Sequence, residues 1–160
     1  MTDVPRELII EVNDEQSQLP EDRRLVEAVR TILEEASIPR ARISVAVVDD
    51  PTIHRLHRDY LQIDEPTDVM SFVLEHTDDL LEGEVIASAD TAVASAPQFG
   101  MTASDELLLY VIHGTLHLVG FDDVTPEKQA EMRRQERAHL ARFDVDLPDL
   151  RTAEKEGDVS

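Results

Sequence analysis

The chain has 160 residues, enough for one domain around one sizeable core, and 41% of them are apolar. A formal charge of -20 excludes nonspecific wrapping of a polyanion, so any nucleic-acid contact must come from a local basic patch or a bound cation. The absence of cysteine excludes disulfides, thiol nucleophiles and thiolate metal sites, which agrees with a reducing, cytoplasmic location.

The N-terminal "MTDVPRELIIEVNDE" has no basic segment followed by a long apolar one, so no secretion signal is expected. No apolar run reaches the ~20 residues needed to span a bilayer, and no membrane partner is expected. "ELIIEV" (Glu7 to Val12) reads as a short strand. Pro20 is expected to open a helix through Ala36, because Leu25, Val29, Ile32 and Leu33 share one stripe at helical spacing. "ISVAVVD" (Ile43 to Asp49) is β-branched and apolar, the pattern of a buried strand. Asp50 and Pro51 read as the cap and first turn of a helix to Leu61.

Ile63 to Asp68 reads as a loop and "VMSFVL" (Val69 to Leu74) as a strand. His76 to Gly83 is expected to turn, and Glu84 to Ala89 to form a further strand. A small-residue helix follows from Asp90 to Phe99. Thr102, with Asp105 three residues on, resembles a capping box. The helix it starts runs through Leu107, Leu108, Leu109, Val111, Ile112, Leu116 and Leu118, apolar nearly all round, so it is predicted to be central and buried. Gly120 is its expected terminator. Thr125 and Pro126 open a last helix to Phe143. The residues after Asp144 are polar and acidic, so a domain over 1–145 and a frayed acidic tail over 146–160 are expected. The predicted fold class is α+β: a single domain in which a small mixed four-stranded sheet packs with about five helices.

Within the central helix, "HGTLHLVGFDD" places His113 and His117 four apart. That spacing puts both imidazoles on one face, one turn apart, within reach of one cation. A lone buried histidine is usually a hydrogen-bonded core residue. Two in a leucine-rich helix are costly without a partner, which favours a metal. Gly120 lets the chain double back and bring Asp122 or Asp123 to the same point, and a carboxylate is an acceptable third zinc ligand. Three protein ligands leave a coordination position open for water or substrate. Gly114 stands where the peptidase motif H-E-x-x-H carries its general base, which argues against peptide hydrolysis.

The same stretch resembles H-G-x-L-H-L-x-G-Y-D-H, the signature of the YbeY family of endoribonucleases. "PTDVMSF" (Pro66 to Phe72) resembles that family's P-T-D-V-L-S-F, and "LEGEVIAS" (Leu81 to Ser88) its L-G-D-I-x-I-S strand. The resemblance covers Ile43 to Leu140. It implies a cytoplasmic, metal-dependent endoribonuclease of ribosomal RNA maturation and ribosome quality control. It further implies one Zn²⁺ per chain on His113, His117 and Asp123, with single-stranded RNA, ribosomal RNA or the ribosome as partner and no DNA.

Two departures from the family pattern matter, and a third is milder. Asp123 takes the place of the third histidine, Leu61 that of the arginine in an N-x-x-Y-R segment, and Glu84 that of the aspartate in the strand segment. An arginine near a hydrolytic metal binds phosphate oxygens, which leucine cannot do. Arg58, one helical turn earlier, is the candidate substitute, against a plain solvated face. Asp122 is assigned to the turn or to a supporting hydrogen bond. His54 and His57 are expected to face solvent or the cleft rim, His76 to sit in a turn and His139 to lie in the charged last helix. Arg133, Arg134 and Arg137 are expected to form solvated pairs with Glu127, Glu131 or Glu136. Two rival functions stay open: a non-catalytic ribosome-associated factor with a structural metal, and a zinc hydrolase acting on a non-RNA substrate such as a peptide.

Overall fold

A computed structural model describes residues 7–62 and 67–148. Most of the expected loop Ile63 to Asp68 and of the expected tail lies outside these residues. Within them run strand β1 (Glu7–Asp14), helix α1 (Arg24–Glu35), β2 (Arg40–Val48), α2 (Asp50–Leu61), β3 (Val69–His76), β4 (Leu81–Ser88), α3 (Ala89–Ser95), a 3₁₀ turn (Ala96–Phe99), α4 (Ala103–Leu118) and α5 (Pro126–Ala141). The strands form one mixed sheet in the order β1-β2-β4-β3. β1 and β4 both run parallel to β2, and β3 runs antiparallel to β4 at the edge. This is the α+β domain the sequence predicts.

Strand alternation divides the core in two. Ile43, Val45, Val47, Val85 and Ala87 point to one face, where they pack with α1 and α4. Val48, Met70 and Ile86 point to the other, where Ile53 of α2 covers them. The central helix α4 is buried from Glu106 through Leu116, as its all-round apolar pattern requires.

Element ends differ from expectation for local reasons. Helix α1 starts at Arg24 instead of Pro20, because Asp22 accepts the Arg24 N–H at 3.0 Å and also grips its guanidinium. Asp49, not Asp50, caps α2 through the Thr52 N–H at 2.9 Å. Asp50 instead accepts the hydroxyls of Ser88 and Thr91 at 2.5 and 2.6 Å. The turn between β3 and β4 is shorter than predicted: Thr77 and Leu80 close it, and the strands extend through His76 and from Leu81. Pro97 ends α3 early by removing a backbone donor. Thr102 and Thr125 cap α4 and α5 as expected. The folded chain also continues past residue 145, since Val145 and Leu147 are buried in the main core.

Two residues expected at the surface, His57 and Arg133, lie inside the protein, and His139 is buried as well. Each lies on the inward stripe of its helix, where packing overrides polarity. His139 has its Nε2 3.6 Å from Glu35 and lies near Arg142. Burial first, and the Arg142 charge after it, hold its pKa below the ordinary imidazole value, against the pull of Glu35. An unfolded chain therefore takes up this proton at a higher pH than the folded one, near about 6.5. Stability is complete above that value and falls as pH drops through it towards the folded pKa. His117 acts in the same sense. With excess chelator present throughout, the melting temperature is expected to fall between pH 7 and pH 5.5 by less in a His139→Gln protein than in the wild type. Equal falls would show that His139 does not contribute.

Candidate metal centre

The site is built where α4 ends. The Gly120 N–H donates to the His117 carbonyl at 3.1 Å and the Phe121 N–H to the Leu116 carbonyl at 3.0 Å. This closure needs a left-handed residue, and Gly120 supplies it at φ +110°. The chain reverses there and returns Asp123 alongside the helix it has just left.

His113 and His117 present their rings edge to face, with centroids 4.6 Å apart and Nε2 atoms 3.1 Å apart. Asp123 Oδ2 lies 3.9 Å from His113 Nε2, and its Oδ1 lies 3.9 Å from His117 Nε2. One donor atom from each residue lies within 4.8 Å of the other two. Tetrahedral zinc with ligand bonds of about 2.0–2.1 Å separates its donors by about 3.3–3.4 Å. The histidine pair already matches that spacing to within a few tenths of an ångström. Asp123, on a loop and with its side chain 32% exposed, is free to close the remainder by rotating. The donor set of two imidazoles and a carboxylate suits a borderline cation such as zinc.

The tautomer fits as well. Glu136 Oε2 lies 2.6 Å from His113 Nδ1, and a carboxylate oxygen only accepts, so Nδ1 carries the ring proton and Nε2 keeps its lone pair. This is the carboxylate–histidine arrangement that fixes and strengthens metal ligands. His117 is held below the ordinary imidazole pKa by burial first and by repulsion from His113 second, which favours the neutral ring a cation needs.

The sequence reading missed Glu136, assigning it to solvated pairing. The signal was its place midway between Met132 and Leu140, four residues from each and so on the same helix face as both. Asp122 shapes the turn: it accepts the Val124 N–H and the Lys128 ammonium, both at 3.3 Å. The first of these bonds holds its pKa below the usual carboxylate value. Arg58 is not brought to the histidines. It is exposed and paired with Asp59 at 3.3 Å, on the helix that packs against the opposite sheet face. Leu61, at the end of that helix, is exposed.

A family profile described as Endoribonuclease YbeY matches residues 9–144. The chain belongs to the YbeY endoribonuclease family. The Endoribonuclease YbeY of Rhodopirellula baltica is 44% identical over 133 residues, spanning 77% of this chain and 69% of that one. The Desulfitobacterium hafniense protein of the same name is 34% identical over 153 residues, spanning 85% and 98%. The solution structure of TM1509 from Thermotoga maritima has the same fold, with a TM-score of 0.56 at 24% identity, over 86% of this chain and 91% of that one. Within this YbeY chain, Asp123 takes the place of the signature's last histidine, and it lies beside His113 and His117.

Proposed function

We propose that this YbeY chain is a zinc-dependent endoribonuclease that cleaves single-stranded RNA in ribosomal RNA maturation, in the cytoplasm. The observation that carries the reading is the convergence of His113, His117 and Asp123, the three signature positions of an endoribonuclease family, with one donor atom of each within 4.8 Å of the others. These three residues would hold the cation, and the chemistry it would supply there is Lewis-acid activation of a phosphodiester oxygen or of water.

The chain's own residues divide the remaining work. His113 and His117 would hold the cation through their ring nitrogens, and Glu136 keeps His113 aimed. Asp123 contributes an anionic donor, which lowers the net positive charge at the site relative to a third imidazole. The overall charge of -20 disfavours nonspecific contact with a polyanion, so RNA contact calls for a local basic patch or the bound cation. Peptide hydrolysis is disfavoured on geometry, because Gly114 faces the sheet and leaves no room for a general base there.

The test uses purified protein, single-stranded RNA and a chelator. Cleavage is expected with zinc, lost on chelation and restored by added zinc, with no hydrolysis of a peptide substrate. A zinc-loaded protein that co-sediments with ribosomes but leaves RNA intact would establish the non-catalytic role instead. Peptide cleavage alone would establish the other rival.

A further inference from the structure

A buried arginine stands behind the metal-facing histidine. Arg133 and Glu136 lie one turn apart on α5, 4% and 3% exposed. Arg133 Nη1 donates to Glu136 Oε1 at 2.7 Å, while Glu136 Oε2 takes the His113 Nδ1 proton at 2.6 Å. Arg133 Nε has no hydrogen-bond partner among the described residues. A cation this deeply buried is tolerated only against an opposite charge, and Glu136 provides it.

We propose that Arg133 is a positioning residue of the metal centre, acting through Glu136 to hold His113 in the tautomer whose Nε2 faces the cation. The inference rests on reading the three-ligand cluster as a metal site and adds a residue that is linked to His113 by hydrogen bonds through Glu136. Its logic is a count of donors and acceptors. A guanidinium only donates, so it always claims one oxygen of residue 136. A carboxylate has a second oxygen to offer His113, and that oxygen only accepts, so Nδ1 must donate.

Glutamine at position 136 breaks the chain of bonds in an informative way. Arg133 takes the single amide oxygen, and the NH₂ group is left facing His113. The ring proton then moves to Nε2, on the side where the cation should sit. Removing the arginine from that variant frees the amide to turn over. Its oxygen again accepts from Nδ1, and Nε2 is cleared. No unpaired charge is buried in that double variant, so it is expected to fold.

The experiment reads the His113 tautomer by ¹⁵N NMR in metal-free protein, and Zn²⁺ affinity by competition with a chromophoric chelator. The wild type and Arg133→Lys are expected to show the Nδ1–H form. Glu136→Gln is expected to show the Nε2–H form and to bind zinc about 100-fold more weakly, the upper end for losing a ligand's supporting partner. Adding Arg133→Met to Glu136→Gln is expected to restore the Nδ1–H form and recover about tenfold or more of the lost affinity. A residue that merely packs the helix would give no recovery. The proposal is overturned if the double variant keeps the Nε2–H form or binds zinc no better than Glu136→Gln. If the wild type takes up no zinc, the metal reading fails, and the tautomer shifts still decide the role of Arg133.

Discussion

An Asp123→Ala protein is expected to lose zinc and RNA cleavage together. Removing a residue that only supports a ligand typically costs about 10–100-fold in affinity, and removing a direct ligand must cost more. The zinc dissociation constant should therefore rise by at least about 100-fold, with metal content after dialysis falling below one per chain. His117→Ala should go further, because it removes one of the two imidazoles that already stand 3.1 Å apart. The fold should survive both changes, since the Asp123 and His117 side chains are each about a third exposed. Asp123→His separates binding from chemistry: it should retain the metal, and a neutral third ligand leaves the cation more positive, so cleavage should rise. The measurements are metal content by mass spectrometry, competition titration and RNA cleavage on the same preparations. Unchanged stoichiometry and affinity in Asp123→Ala would remove that residue from the ligand set.

The second large effect is on the fold. Gly114 sits on α4 where the helix presses against the sheet. A Cβ there would meet Val85 Cγ1 at 2.8 Å and Val69 Cγ2 at 3.2 Å. Both neighbours are valines, stiff at χ1, so neither side chain swings aside cheaply. Two terms compete in Gly114→Ala. Alanine gains about 0.5–1 kcal/mol in helix propensity, while overpacking costs about 1–3 kcal/mol. With two stiff neighbours overpacking wins, for a net loss of up to about 2.5 kcal/mol and a melting temperature lowered by several degrees. Gly114→Glu, which writes H-E-x-x-H into the helix, should fail to give a folded protein, because it adds a buried carboxylate to the clash. Thermal denaturation followed by circular dichroism checks both variants. An alanine variant as stable as the wild type would mean that the helix shifts away from the sheet at little cost.

The same contact explains why the position departs from the peptidase motif. A side chain at residue 114 would run into Val85 and Val69 of the sheet, which leaves it no room to serve as a general base. The helix buys its close approach to β3 and β4 with the residue that a peptidase would use for catalysis.

Much of the fold was legible from residues whose local physics has few alternatives. Thr102 and Thr125 cap because each precedes a helix with a free backbone donor within reach of its hydroxyl. Gly120 stops α4 because only glycine takes the left-handed turn without cost. The boundaries that moved were those settled by side chains remote in the chain. Arg24, at the start of α1, is held by Asp105 at 2.8 Å as well as by Asp22. Asp50 was drawn from capping its own helix into the hydroxyls of Ser88 and Thr91.

By itself the sequence determined the element order, the buried α4 and the pairing of His113 with His117, because helical periodicity fixes which residues share a face. It also named Asp123 through the family signature. Only the tertiary structure decided that α5 lays Glu136 and Arg133 behind His113, and that α2 carries Arg58 to the far side of the sheet. Those contacts join residues such as His113 and Glu136, 23 positions apart. Their meeting depends on how whole helices pack, and no local pattern records that.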